Sequence, residues 1–377
     1  MRIFECQNCS QPLYFENTGC ASCGLKLGYL PEQETMTALR ESDGRWLALA
    51  EPEGRYRHCN NAVHEACNWL VPADQPAQFC VACRHNRTIP DLSVPDNLQH
   101  WRKIEAAKRR LFYTLLKFKL PLATKEEEPD ALAFDFIADQ TGPQGHIPVL
   151  TGHEDGLITI NIAEADDPER ERRRSQMGEP YRTLLGHFRH EIAHYYWDRL
   201  VAQSASLEEF RAVFGDEQQD YGQALQQHYA NGPPPDWPER FVSSYASSHP
   251  WEDFAETWAH YLHMIDTLET ASAFGLSMRP KVGNGEMATK LDFDPHGADM
   301  TRIIDAWLPL TYAMNSINRS MGLQDLYPFV LKPPVIDKLA FIHRLTHPKA
   351  GASVQETARE ALRAIAASLR RNIGLPA

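Results

Sequence analysis

Apolar side chains recur at helical spacing between residues 98 and 120, with Trp101, Ile104, Leu111, Leu115 and Phe118 on one stripe. That spacing predicts an amphipathic helix. After a charged loop at 125–130, residues 131–138 alternate apolar and polar positions in part, and the stretch GLITINIA at 156–163 does so clearly. Both predict strands. Between them Gly142, Pro143 and Gly145 predict a turn, and residues 147–150 a further short strand. Residues 180–201 carry a long helical pattern opened by Pro180, a tolerated position in a first helical turn. More helices are predicted at 207–214, 218–229, 251–270 and 300–321, with the prolines at 233–235 as a firm break and a terminal amphipathic helix at 352–372. The pattern is that of an α+β protein in which a small sheet precedes a mainly helical part.

Composition adds a second region. The chain of 377 residues is long enough for two or three domains, and all eight cysteines fall before Arg84. Pro90, Pro95 and the polar residues around them break periodicity, so the expected division is a cysteine-rich module over 1–84, a linker over 85–97, the main domain over 98–349 and a helical extension over 350–377. A net charge of -12 argues against affinity for phosphate backbones. The basic runs at 102–110 and 170–174 contain or adjoin Glu105, Glu169 and Glu171, and read as solvated helix faces. The first residues lack an apolar signal core, and no stretch of about eighteen apolar residues follows. The expectation is a protein of the reducing cytoplasm, with no membrane partner.

Cys6, Cys9, Cys20 and Cys23 form two C-x-x-C knuckles, each able to wrap one side of a tetrahedral ion. Gly24 follows the second knuckle and supplies a permissive backbone. Cys59, Cys67, Cys80 and Cys83 are spaced more loosely and predict a second four-thiolate site, with His58 and His64 as substitute ligands held in reserve. Zinc is the expected ion, although four sulfurs also suit iron. Both sites would be closed and structural, giving a zinc-ribbon module. Such a scaffold serves protein docking as readily as DNA, and the acidic charge favours a protein partner.

The segment LLGHFRHEIAHYYWDRL sets His190 and His194 four residues apart, so on a helix both imidazoles leave one face and can hold one zinc. Glu191 then stands beside the metal as general base, taking a proton from the attacking water and passing it to the leaving amine. Peptide hydrolysis is the chemistry this implies. The GLITINIA strand is expected at a sheet edge, where it would pair with an extended peptide substrate. A zinc held by two histidines lacks a third protein ligand. In WEDFAETWAHYLH, Glu252 and Glu256 share one helix face; Glu252 is the expected ligand and Glu256 the acceptor of a ligand histidine's second N–H, with the reverse assignment left open. Seven residues before Glu252, Tyr245 is either an oxyanion donor or a packed core tyrosine. His187, His249, His260 and His263 read as helix-packing residues.

At FECQNC, CASCGLKLGY, CNWLVP, FCVACRHNRTIPDL, HFRHEIAHYYWDRL, FGDEQQDYGQAL and HPWEDFAETWAHYLHMIDTLETA the chain resembles a bacterial family of zinc-binding metallopeptidases with an N-terminal zinc ribbon. The likeness extends to about Lys349. The active-site residues are also similar to the gluzincin centre of the anthrax lethal factor type, which combines H-E-x-x-H, a later E-x-F-A-E helix and a tyrosine seven residues before its first glutamate. The resemblance implies a zincin-like domain with His190, His194 and Glu252 as ligands, Glu191 as base and Tyr245 as oxyanion helper. It implies one catalytic and two structural zinc ions, and a protein or peptide substrate. The gap of 58 residues from His194 to Glu252 departs from that pattern and must hold extra helices. Two other functions compete: a SprT-like protease clearing DNA-bound proteins, and a catalytically silent zinc-binding adaptor.

Overall fold

The structure is a computed structural model that describes residues 2–347 apart from 143–144, 148, 150, 178–180, 282–284 and 286. The predicted helix at 352–372 and Pro180 lie outside the described residues, as do Pro143 and parts of the strand predicted at 147–150. The described residues mix helix and sheet, with four-cysteine clusters in the first part and helices dominating the second. They form two compact units, one ending at Glu191 and the other beginning at Ile192.

The first unit opens with a hairpin of β1 (Phe4–Glu5) and β2 (Pro12–Leu13), followed by a five-stranded antiparallel meander: β3 (Lys26–Leu30), β4 (Thr35–Ser42), β5 (Arg45–Ala48), β6 (Arg55–His58) and β7 (Leu70–Pro72). Leu30, Leu39, Ala48, Tyr56 and Leu70 make its core. Beside it Phe15, Tyr29 and Trp69 pack edge-on or tilted, with ring centroids 4.8 Å (Phe15 to Tyr29) and 4.9 Å (Tyr29 to Trp69) apart. Tyr113 joins them from α1 (Asn97–Lys117), 5.5 Å from Phe15. Each such buried aromatic contributes roughly 2–3 kcal/mol by area alone, so α1 and the cysteine-rich region share a core.

That packing revises the reading of 102–110 as a solvated face. Lys108 and Glu105 are fully buried and paired at 2.9 Å. Arg109 donates to the Ala66 carbonyl, Arg102 Nε to the His64 carbonyl at 2.6 Å, and Arg110 pairs with Glu16 at 2.6 Å. The cations serve as hydrogen-bond donors to loop carbonyls and carboxylates that the periodicity of α1 alone does not reveal. The run at 170–174 fits its expected solvated face only in part: in α2 (Asp167–Met177), Arg172 and Arg174 pair with Glu169 and Glu171 one turn away, each at 2.6 Å, whereas Arg170 donates to the Glu164 carbonyl and Arg173 to the buried Glu164 carboxylate, each at 2.9 Å.

The stretch expected as a linker contains β8 (Asn86–Thr88), which pairs parallel with β9 (Ala133–Ile137). Arg87 of β8 donates to the buried Asp135 of β9 at 2.9 Å and fixes the pair. A small hairpin of β10 (Gln140–Gly142) and β11 (Gly145–Ile147) follows, in keeping with the predicted turn. The sheet is completed by β12 (Gly152–Glu154) and β13 (Leu157–Asn161), in the order β12-β13-β9-β8. In β13 the alternation is real, with Ile158 and Ile160 fully buried. Its expected place at the edge is not: β13 pairs antiparallel with β12 on one side and parallel with β9 on the other. The reason is the two-residue turn Asp155-Gly156, whose positive φ values of 46° and 77° suit a tight hairpin. A Cβ on Gly156 would stand 2.2 Å from the Asp130 carbonyl oxygen, so no other residue fits there. The short β12 takes that edge, and β8 forms the other.

Helix α3 (Leu184–Leu200) carries the H-E-x-x-H residues, and its Phe188 packs edge-on against Phe134 of β9 at 5.7 Å. The second unit is helical: α4 (Leu207–Phe214), α5 (Tyr221–Asn231), α6 (Trp237–Arg240), α7 (Pro250–Ala273), α8 (Met300–Ser320) and α9 (Pro333–Thr346), with one small hairpin of β14 (Ser277–Met278) and β15 (Thr289–Lys290). α7 is the central element, burying Phe254, Trp258, Tyr261, Leu262 and Ile265. Phe210 and Phe214 of α4, Phe254 of α7 and Phe341 of α9 form one aromatic cluster. A buried ion pair between Asp253 and Lys338, 2.6 Å apart, ties α7 to α9. Among the described residues no helix is long and apolar enough to cross a membrane.

Candidate metal centres

Three groups of side chains among the described residues converge as metal ligands do: Cys6, Cys9, Cys20 and Cys23; Cys59, Cys67, Cys80 and Cys83; and His190, His194 and Glu252. Within each group the ligand atoms all lie within 4.8 Å of one another.

The cysteine groups fit a tetrahedral ion. Cys6 and Cys23 sulfurs are 3.7 Å apart, Cys9 and Cys20 3.6 Å, and Cys67 and Cys80 3.8 Å. Ligands at 2.3 Å around a tetrahedral zinc stand about 3.8 Å apart, whereas a disulfide would bring them to about 2.0 Å. All eight cysteines are free thiols. Burial pushes the Cys6 thiol up to about 11 and the Cys80 thiol well above its usual value. Thiols so disfavoured as anions become thiolates around a cation and not otherwise. Beside the second group lies a buried carboxylate that periodicity hid: Cys83 Sγ is 3.6 Å from Glu105 Oε2, and Asn86 Nδ2 donates to Glu105 Oε1 at 2.7 Å. His58 and His64 stay outside the group, their rings packed on Trp46 and Trp101.

The third group is built differently. His190 and His194 project from one face of α3, as their i, i+4 spacing dictates. Glu252 sits in the first turn of α7, which His249 caps by accepting the Trp251 N–H at 3.1 Å. His194 is 4% exposed and Glu252 1% exposed, and His194 Nε2 lies 3.7 Å from Glu252 Oε2. Ligands at 2.0–2.1 Å around a tetrahedral ion stand about 3.3–3.4 Å apart, so these two atoms need move by only a few tenths of an ångström to share zinc. The Trp251 ring lies 3.9 Å from the His194 ring and closes one side. Glu191, next to His190, is 9% exposed.

Tyr245 lies in a short 3₁₀ turn before α7. Burial, and then the negative charge of Glu252 with Tyr221 and Tyr229 nearby, push its phenol far above the usual value. It therefore remains protonated and able to donate. Glu256 is half-buried and accepts from Ser243 Oγ at 2.7 Å. His260 bonds Tyr327 at 2.9 Å, His263 packs on Trp307 and Tyr327, and His187 lies 3.6 Å from the buried Glu164. Sequence reasoning missed Tyr221, whose hydroxyl donates to Glu252 Oε1 at 2.7 Å, and Ser243. The one available sign for Tyr221 was Asp220, the N-cap of α5, which starts that helix at Tyr221 and not at the predicted residue 218.

Two four-cysteine clusters and a partly buried group of two histidines and one carboxylate define a zinc-binding protein of mixed helix and sheet. Residues 97–345 match the family described as "Putative zinc-binding metallo-peptidase", and the chain belongs to that family. Residues 3–94 match a zinc-ribbon domain. The chain is 44% identical over 352 residues to an uncharacterized protein of Mycobacterium bovis and to uncharacterized proteins from two strains of Mycobacterium tuberculosis. Each alignment covers 91% of this chain and 94% of the relative. No solved structure matches it significantly.

Proposed function

We propose that the chain is a zinc-dependent peptidase of the gluzincin kind, with one exchangeable zinc at His190, His194 and Glu252 and structural zinc in each cysteine cluster. The convergence of those three ligand atoms within 4.8 Å carries the reading. Three protein ligands leave a tetrahedral ion one position for water, which is the arrangement of catalytic rather than structural zinc. When bound, the ion supplies a Lewis acid that polarises the scissile carbonyl and acidifies a water.

The chain's own residues do the rest. Glu191 takes the proton of the attacking water and delivers it to the departing amine, so one carboxylate acts first as base and then as acid. Tyr245, whose phenol burial and Glu252 hold toward its protonated form, donates to the oxyanion that develops on the carbonyl oxygen. Glu256 is the outer acceptor that orients a ligand histidine, itself held by Ser243. The ribbon module docks a protein partner or substrate; the net charge of -12 and the exposed Tyr14 and Val63 favour protein over nucleic acid. Two clusters of free thiols suit a reducing compartment such as the cytoplasm.

Metal content tests the centre directly. The full chain should hold three zinc ions, and His190→Ala two. A chelator-treated wild type should lose cleavage of a mixed peptide library and regain it with zinc. Equal metal content in the two proteins would remove the basis for the peptidase reading.

A further inference from the structure

The segment FGDEQQDYGQAL has no duty in the reading above, yet it carries Tyr221 to the metal centre. We propose that Tyr221 is the positioning residue of Glu252: its phenol holds one carboxylate oxygen, so that only the other faces the metal. The inference rests on the peptidase reading in taking His190, His194 and Glu252 as a metal centre.

The two oxygens of Glu252 have different surroundings. Oε1 accepts the Tyr221 hydroxyl at 2.7 Å, and Oε2 lies 3.7 Å from His194 Nε2. A carboxylate only 1% exposed loses its water and needs donors in exchange. A phenol on Oε1 supplies one while leaving Oε2 directed at the histidine. With zinc present, that division gives single-oxygen ligation. Two-oxygen ligation would crowd the position a four-coordinate site keeps for water. The hydrogen bond also draws charge from the carboxylate, so the ion keeps more of its Lewis acidity.

The side chain, 39% exposed, is held by its backbone and by two ring contacts. Its backbone opens α5, where Asp220 accepts the Gln223 N–H at 2.8 Å. Its ring stands edge-on to His249 at 5.3 Å and to Trp251 at 5.7 Å. Those are the residues that cap α7 and cover His194. The His249 ring also bonds the Gln219 carbonyl at 3.2 Å, tethering the loop before α5 to the start of α7. So the long insertion between His194 and Glu252 returns to the centre and completes it. Tyr245 and Tyr221 divide the work: one phenol serves the substrate, the other the ligand.

The test measures metal binding, not turnover. Zinc affinity of the third site is read by competition with a chromophoric chelator, and its geometry by visible absorption after cobalt substitution, in full-length wild type, Tyr221→Phe and Tyr245→Phe. Phenylalanine keeps the ring packing, and circular dichroism checks the fold. Tyr221→Phe should weaken zinc roughly 10- to 100-fold, the range typical for lost outer-shell bonds, and alter the cobalt bands as the carboxylate turns. Tyr245→Phe should leave both readings unchanged. Wild-type affinity and spectrum in Tyr221→Phe, beside an intact wild-type centre, would overturn this inference alone. A wild type holding no more metal than His190→Ala would overturn the centre, and this inference with it.

Discussion

The cysteine clusters and the His190–His194–Glu252 centre are both groups of potential ligands drawn close together, yet they differ in the number and kind of ligand. Each cluster supplies four thiols, with sulfurs 3.6–3.8 Å apart where the distances are resolved, and so fills every position of a tetrahedral ion. The centre supplies three ligands, sits beside a carboxylate that need not bind, and has a protonated phenol nearby. A filled coordination sphere can only hold structure together. An unfilled one can do chemistry, and the groups around it decide which.

The largest effect is expected in the clusters. Cys80→Ser should release one zinc and unfold much of the first unit, because metal binding in such sites is worth on the order of 10 kcal/mol of folding free energy. Since α1 packs its Tyr113 on the ribbon's aromatic core, hydrogen exchange should show α1 losing protection along with the ribbon. A folded α1 in the zinc-depleted variant would mean the two regions are energetically separate. Glu191→Gln comes next. It should lower kcat roughly a hundred- to ten-thousand-fold with all zinc retained, and retained cleavage would remove Glu191 as the base.

A smaller effect tests the buried Glu105–Lys108 pair beside the second cluster. Lys108→Met leaves the buried Glu105 without its cation and should cost about 3–5 kcal/mol in urea unfolding, whereas the pair replaced together, Glu105→Gln with Lys108→Met, should cost less. The smallest concerns pH. Burial pushes the His153 imidazole down to about 4, and its Nε2 accepts the Gly156 N–H at 3.1 Å in the hairpin of the edge strand. The unfolded chain takes up this proton first as pH falls. The contribution is therefore complete above about pH 6.5 and is lost as pH falls through about 4, roughly 3 kcal/mol in all. The urea midpoint should drop less between pH 7 and pH 4 in His153→Gln than in wild type; equal drops would show that His153 is not the group responsible.

How far these features could be read beforehand depended on their range. Periodicity located α1, α4, α7 and α8 to within a few residues, because each carries large apolar side chains at helical spacing along its length. Spacing within a helix put His190 and His194 on one face, and knuckle spacing grouped the cysteines. What needed three dimensions was missed or misplaced. The alternation of β13 gave its burial but not its neighbours, and the Asp155-Gly156 turn that puts β12 outside it went unread. The short β8, with only three residues, has no period to detect and is a strand because Arg87 meets Asp135, 48 positions away. Tyr221 reaches Glu252 across 31 positions, through a loop whose path no local pattern encodes.

Central to the proposed function is Glu191 as the general base beside His190, His194 and Glu252. Comparing protein N-termini across cells that make either the wild type or Glu191→Gln at equal levels tests it most directly. A defined set of new N-termini present with wild type and absent with Glu191→Gln is the predicted result; identical sets in the two would contradict it.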